Sequence, residues 1–178
     1  MEQQFNLFFL IGGVSSSYGN ITSSYNKGEI KVSGDNNEAV ICIGGILGML
    51  QSQSNDKNNI QYCYNYGSIN STVSTNLEEE GMTVYGAGSI IGLASTTNFS
   101  TEDVYYLQNE NTKAIGGYFM GSSDAKVAES KEPYQFSNGE VAWLLRDGGF
   151  GQALNENGEY INDATPVLLT FDENKGKE

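Results

Sequence analysis

Two short patterns recur in alternation along this chain, and no other feature restricts its fold as strongly. The first is a Gly-rich apolar segment: Phe8-Phe9-Leu10-Ile11-Gly12-Gly13-Val14, Val40-Ile41-Cys42-Ile43-Gly44-Gly45-Ile46 and Val84-Tyr85-Gly86-Ala87-Gly88-Ser89-Ile90. A second segment follows each copy: Ile21-Thr22-Ser23-Ser24-Tyr25-Asn26-Lys27-Gly28-Glu29-Ile30, then Ile60-Gln61-Tyr62-Cys63-Tyr64-Asn65-Tyr66-Gly67-Ser68-Ile69. A degenerate third copy is Thr101-Glu102-Asp103-Val104-Tyr105-Tyr106-Leu107. Phe8, Val40 and Val84 are 32 and 44 residues apart, whereas Tyr25, Tyr64 and Tyr105 are 39 and 41 apart. Fixed motifs at unequal spacing put the length changes in loops and keep the strands in register.

Within the first motif, alternation places Phe8, Leu10, Gly12 and Val14 on one face. Val40, Cys42, Gly44 and Ile46 match them, as do Val84, Gly86, Gly88 and Ile90. Copies stacked about 4.8 Å apart set like on like: Val14 on Ile46 on Ile90, Tyr25 on Tyr64 on Tyr105, with Asn26 beside Asn65. One copy cannot bury its apolar face alone, but three stacked copies can. The predicted fold is all-β: a right-handed parallel β-helix, or β-solenoid, of about three rungs with a C-terminal helix-containing cap. The solenoid repeats occupy residues 1–118, with rungs at about 7–34, 39–75 and 83–118, and the capping segment residues 119–178. The other face of the Gly strands is also apolar, with Phe9, Ile11, Ile41, Ile43, Leu47, Tyr85 and Ile91. It needs a cover, from the C-terminal segment, a partner chain or the rest of a parent protein, and an intramolecular cover is preferred.

The capping segment contains a polar loop over residues 119–135. Ser137-Asn138-Gly139-Glu140 then reads as a capping box opening a helix through Val141-Ala142-Trp143-Leu144-Leu145, which Gly148-Gly149 ends. Trp143, the only tryptophan, and Leu144 are expected to plug the open end or the flank of the solenoid rather than to stack on a ligand. Residues 150–171 read as an irregular stretch and one last strand, Pro166-Val167-Leu168-Leu169-Thr170-Phe171.

Charge and composition exclude several functions. The 178 residues carry a net charge of −13, with nine Lys and Arg and no His. That balance disfavours nucleic acid and anionic membrane surfaces, and the missing imidazole removes Ser-His-Asp, Cys-His and His-ligated zinc chemistry. No stretch is apolar enough over the roughly 18 residues a membrane span requires. The apolar start after Met1-Glu2-Gln3-Gln4 lacks the cationic leader of a signal peptide and reads as a strand, so the chain is expected to be a piece of a longer protein or a mature segment behind an added Met. Cys42 and Cys63 could meet between neighbouring strands, but two buried free thiols are preferred.

The alternation of I-G-G-I-x-G with I-x-x-C-Y-N-x-G-x-I resembles the GLUG-motif repeats of large bacterial surface proteins, including IgA-protease-like and adhesin-like chains. Residues 42–48 and 60–69 match best, and the resemblance covers roughly residues 8–171. It implies an extracellular, cell-surface or secreted bacterial protein, and it supplies no catalytic residues. Ser15-Ser16 in the first rung, and Ser89 and Tyr106 in the third, depart from the pattern.

Tyrosines are the candidate recognition residues, because sugars present apolar C–H faces to aromatic rings. Tyr62, Tyr64, Tyr66, Tyr105 and Tyr106 cluster in the second motif, although stacked tyrosines also make a structural ladder, which is the preferred reading. Carboxylates at Glu78-Glu79-Glu80, Glu102-Asp103 and Asp172-Glu173 read as solvated loops rather than as an acid/base pair. Asp35-Asn36-Asn37-Glu38 and Asp172-Glu173-Asn174-Lys175-Gly176 are incomplete calcium loops, so no cofactor and no metal are expected. The expected role is a non-enzymatic adhesin segment or spacer that contacts a glycan or a host surface protein. The alternative is a carbohydrate-active β-helix enzyme, a lyase or glycoside hydrolase, using loop carboxylates.

Overall fold

The computed structural model describes residues 7–17, 20–34, 39–51, 58–73, 85–109, 113–119, 126–159, 161 and 164–169. The protein is mostly β, and its larger sheets are parallel. A first layer of chain holds β1 (Leu7–Gly12), β2 (Ser15–Ser17), β3 (Ile21–Asn26) and β4 (Ile30–Val32). A second repeats it with β5 (Ala39–Gly44), β6 (Leu47–Leu50), β7 (Asn58–Asn65) and β8 (Ile69–Ser71). A third holds β9 (Tyr85–Gly88), β10 (Ile91–Ala94) and β11 (Phe99–Leu107), and a fourth begins with β12 (Ile115–Tyr118) and β13 (Glu129–Lys131). Corresponding strands pair in the orders β1-β5-β9, β12-β10-β6-β2, β13-β11-β7-β3 and β4-β8.

The registers are those the motifs predict. Phe8 lies opposite Val40, and Tyr25, Tyr64 and Tyr105 follow one another across the third sheet. The Val14 N–H donates to the Ile46 carbonyl and the Ile46 N–H to the Ile90 carbonyl, both at 3.1 Å. Ser15 still pairs with Leu47, so the first layer keeps register despite its departure from the motif. Layering also runs beyond the point where the sequence repeat fades. Expected to close the third rung, β12 instead lies on β10 as a further layer, and β13 replaces part of the expected polar loop by lying on β11.

Two features interrupt simple alternation. The Gly-rich segment is not one strand: it turns at Gly45-Ile46, and β6 folds back against β5. Glycine is needed there, since a Cβ on Gly44 would stand 1.9 Å from the Leu47 carbonyl oxygen. The turn resets parity, so Leu47 and Ile91, expected on the outer face, join the main core with Ile46, Ile60, Cys63 and Ile90. The second interruption is a residue in the left-handed region at one register position of three strands: Ser23 (φ 47°), Tyr62 (φ 51°) and Asp103 (φ 48°). None is glycine, and each costs on the order of 1–3 kcal/mol, which neighbouring ladder bonds must offset. The bend turns both Ile60 and Cys63 into the core.

The remaining outer face is only partly covered: Phe9 is 42% exposed, and no described residue of the C-terminal segment lines the cleft beside it. Phe9, Ile11 and Ile41 line a cleft with Val32, Gly34 and Val73, which follow or end β4 and β8. Ile41 and Ile43 are buried there.

The C-terminal segment instead crosses the tyrosine face of the third sheet. It comprises α1 (Pro133–Ser137), α2 (Glu140–Leu144), a 3-10 turn at Arg146–Gly148, and the antiparallel pair β14 (Phe150–Gln152) and β15 (Pro166–Leu168). Ser137 does not cap the second helix; it is the last residue of the first. The capping box forms earlier, where the Glu132 N–H donates to Gln135 Oε1 at 2.8 Å and Pro133 opens α1. Gly139, left-handed at φ 89°, starts α2. Residues 170–171 of the expected last strand lie outside the described residues.

Candidate functional site

The five tyrosines singled out by sequence take different positions. Tyr64 is fully buried: its ring stacks on Tyr25 at 5.3 Å and 5°, with Phe136 and Phe150 each 5.7 Å away. Its hydroxyl donates to the Pro166 carbonyl at 2.5 Å, which ties the ladder to β15. Burial pushes its pKa up. Tyr105 is also buried, with Lys131 Nζ 5.5 Å from its ring and its hydroxyl donating to Asp103 Oδ1 at 3.1 Å. Tyr62 and Tyr66 are half-buried against the same cluster, Tyr66 edge-on to Phe136 at 5.1 Å. Tyr106 packs instead against the main core. The Tyr64 and Tyr105 rings are thus enclosed by protein, whereas Tyr25, next to Tyr64 in the ladder, is 37% exposed.

Beneath the ladder runs a row of asparagines. Asn26 Nδ2 donates to Asn65 Oδ1 at 2.9 Å, and each side chain closes a turn onto the glycine two residues on. Asn65 presses on Gly45, where a Cβ would stand 2.3 Å from its amide nitrogen and 2.1 Å from the Ser89 carbonyl oxygen. In the third layer Ser89 stands where Gly45 does, and Tyr106 stands where Asn65 does. The second glycine and the asparagine therefore disappear together.

Among the described residues, Glu102, Asp103 and Glu129 are each engaged by a neighbour. Glu102 accepts from Gln61 Nε2 at 2.7 Å. Asp103 and Glu129 line one shallow cleft with Lys126, but Glu129 is ion-paired to both Lys126 and Lys131 at 3.2 Å. Its hydrogen bonds to those lysines hold its pKa below the usual carboxylate value, which suits an ion pair and not a general acid at neutral pH. Among the described residues no group of His, Cys, Asp and Glu could hold a metal ion. The acidic runs at 35–38, 78–80 and 172–176 lie outside the described residues. No family model, curated protein or solved structure matches the chain.

What sequence reasoning placed wrongly is Trp143. Val141 and Leu145, four residues apart on α2 and its end, are buried against Tyr64 and Phe136. Trp143, midway between them, therefore points outward and is 67% exposed. The Arg146 guanidinium lies over its ring at 4.4 Å, and Arg146 Nη1 donates to the Trp143 carbonyl at 2.8 Å. Beside the pair, Ala142, Phe150, Gly151 and Gln152 line a cleft of about 220 Å³. In the sequence Val141 and Ala142 precede Trp143 and Leu144 and Leu145 follow it, so no spacing singles it out as outward.

Proposed function

We propose that this chain is a non-enzymatic module of a bacterial cell-surface or secreted protein, built as a right-handed parallel β-helix of GLUG-type repeats. One observation carries the reading: like residues of two alternating motifs pair in parallel register through successive layers, as Tyr25, Tyr64 and Tyr105 do. A stack of this kind makes a stiff support in which loops vary while the layers persist. The strands β1, β2, β3 and β4 each lie at the end of a sheet, an edge suited to a preceding coil of a larger parent chain. As an adhesin segment or spacer, the module presents its flanks to glycans or host proteins. Antibody raised against the chain should label intact producing cells, and protease shaving of those cells should remove the label. A signal found only after lysis would overturn this reading.

A further inference from the structure

We propose that Trp143, Arg146 and the adjoining cleft form a binding site for a neutral hexopyranose ring. The proposal deepens the non-enzymatic module reading by assigning it a ligand class and a place.

Trp143 is the one tryptophan in the chain, and exposing so large an apolar ring forgoes the burial that its helix neighbours Val141 and Leu145 achieve. It is also held in place. Arg146 covers one ring face and is tied back to the Trp143 carbonyl, leaving the opposite face as a flat apolar platform. Such a face matches the C–H side of a pyranose, whose hydroxyls then lie at the ring's rim. Polar side chains of Arg146 and Gln152 line the adjoining cleft, and Arg146 Nε is 3.8 Å from Asp147 Oδ1. Gln152, in the cleft, donates through Nε2 to the Ala164 carbonyl at 3.0 Å and the Ser137 carbonyl at 3.4 Å. Its Oε1 is buried without a partner among the described residues, an acceptor that a hydroxyl reaches if the side chain shifts toward the cleft.

Size and charge narrow the class. The cleft, about 220 Å³, falls below the roughly 300–1,000 Å³ of pockets that enclose a drug-sized molecule, and so suits one ring. Asp147 compensates the Arg146 charge, and the chain carries −13 overall, so acidic glycans are repelled.

Because Trp143 is the sole tryptophan, its emission reports this site alone. Cellotriose, maltotriose and galactotriose serve as neutral probes, with trigalacturonate as the charged counterpart of the last. At least one neutral probe is expected to blue-shift the emission saturably, with the saccharide recovered intact. By calorimetry, Trp143→Ala should weaken that binding about tenfold or more, whereas Trp143→Tyr should stay within about threefold and Arg146→Met should weaken it about tenfold. Trigalacturonate should bind at least about tenfold more weakly than galactotriose at low salt. The site is refuted if no neutral probe acts at about 10 mM, the weak end of measurable affinity, or if the alanine variant binds like the parent. Trigalacturonate binding as tightly as galactotriose refutes the ligand class. Failure to bind leaves the surface-module reading standing, whereas cleavage of a bound probe overturns that reading and leaves the site standing.

Discussion

The side-chain amide of Asn26 reaches Oδ1 of Asn65 at 2.9 Å, although 39 residues separate them in sequence. That bond joins two layers from beneath, while the stacked rings of Tyr25 and Tyr64 join them from above. Asn65 is fully enclosed, so its lost bonds cannot pass to water. Asn65→Ala is expected to lower stability by about 2–3 kcal/mol, read as the shift of a urea midpoint at unchanged slope.

Gly45 is the partner of that asparagine. Gly45→Ala drives a methyl group into the Ser89 carbonyl and the Asn65 amide and should cost about 3 kcal/mol. Ser89→Gly, at the matching position one layer on, should change stability by less than about 1 kcal/mol, the conformational cost of an added glycine. Equal effects at the two positions, in the same urea titration, would contradict this account of the motif.

Such a pairing shows what the sequence could and could not reveal. Registers were legible because Phe8 and Val40, or Tyr25 and Tyr64, repeat the same residue classes at matched offsets. The strand bend was not, because Ser23, Tyr62 and Asp103 adopt left-handed backbone without the glycine that normally announces it. The break between β5 and β6 was hidden for a different reason: apolar residues continue across the turn, since both sides are buried. At the C-terminal end, two five-residue helices are too short for periodicity to fix their phase. Ser137 offers a good capping pattern, but Pro133 has already started a helix upstream. Trp143 consequently faces solvent, and Phe136, Val141, Leu145 and Phe150 cover the ladder in its place.

Cys42 and Cys63 are free, buried and in separate clusters, Cys42 with Val40, Met49 and Leu93, Cys63 in the main core. Burial raises their pKa values, Cys42 to about 12 and Cys63 to about 11. Neither thiol should react with Ellman's reagent in the native protein near pH 8, and both should react once guanidinium unfolds it. The unfolded chain releases these protons above about pH 9, before the folded one does, so stability should decline as pH rises through that window.

Lys131 holds β13 to α2 through an ion pair of 3.2 Å with Glu140, and it pairs at the same distance with Glu129 of its own strand. Burial works to lower its pKa, yet its hydrogen bonds to the two glutamates outweigh that and raise it. Both glutamates are partly exposed, which weakens the pairs, so Lys131→Met should cost about 1–2 kcal/mol. The Glu129 pKa is depressed on folding, so its stabilisation is present above about pH 4.5 and fades as pH falls through the folded value. Thermal melts between pH 3 and 6 should show a shallower acid loss for Glu129→Gln than for the parent chain.

Tyr64→Phe removes the bond to the Pro166 carbonyl and leaves that acceptor enclosed without it. A loss of about 1–3 kcal/mol is expected, with faster amide exchange concentrated in β14 and β15.

Stacking by layers has a consequence for shape. Tyr25, Tyr64 and Tyr105 lie 39 and 41 positions apart in the third sheet, yet one layer lies only about 4.8 Å from the next. Forty residues drawn out as a single strand would reach roughly 130 Å. Most of that length is thus spent within a layer rather than along the direction in which the strands pair, and one further layer would extend the paired sheets by a single strand spacing.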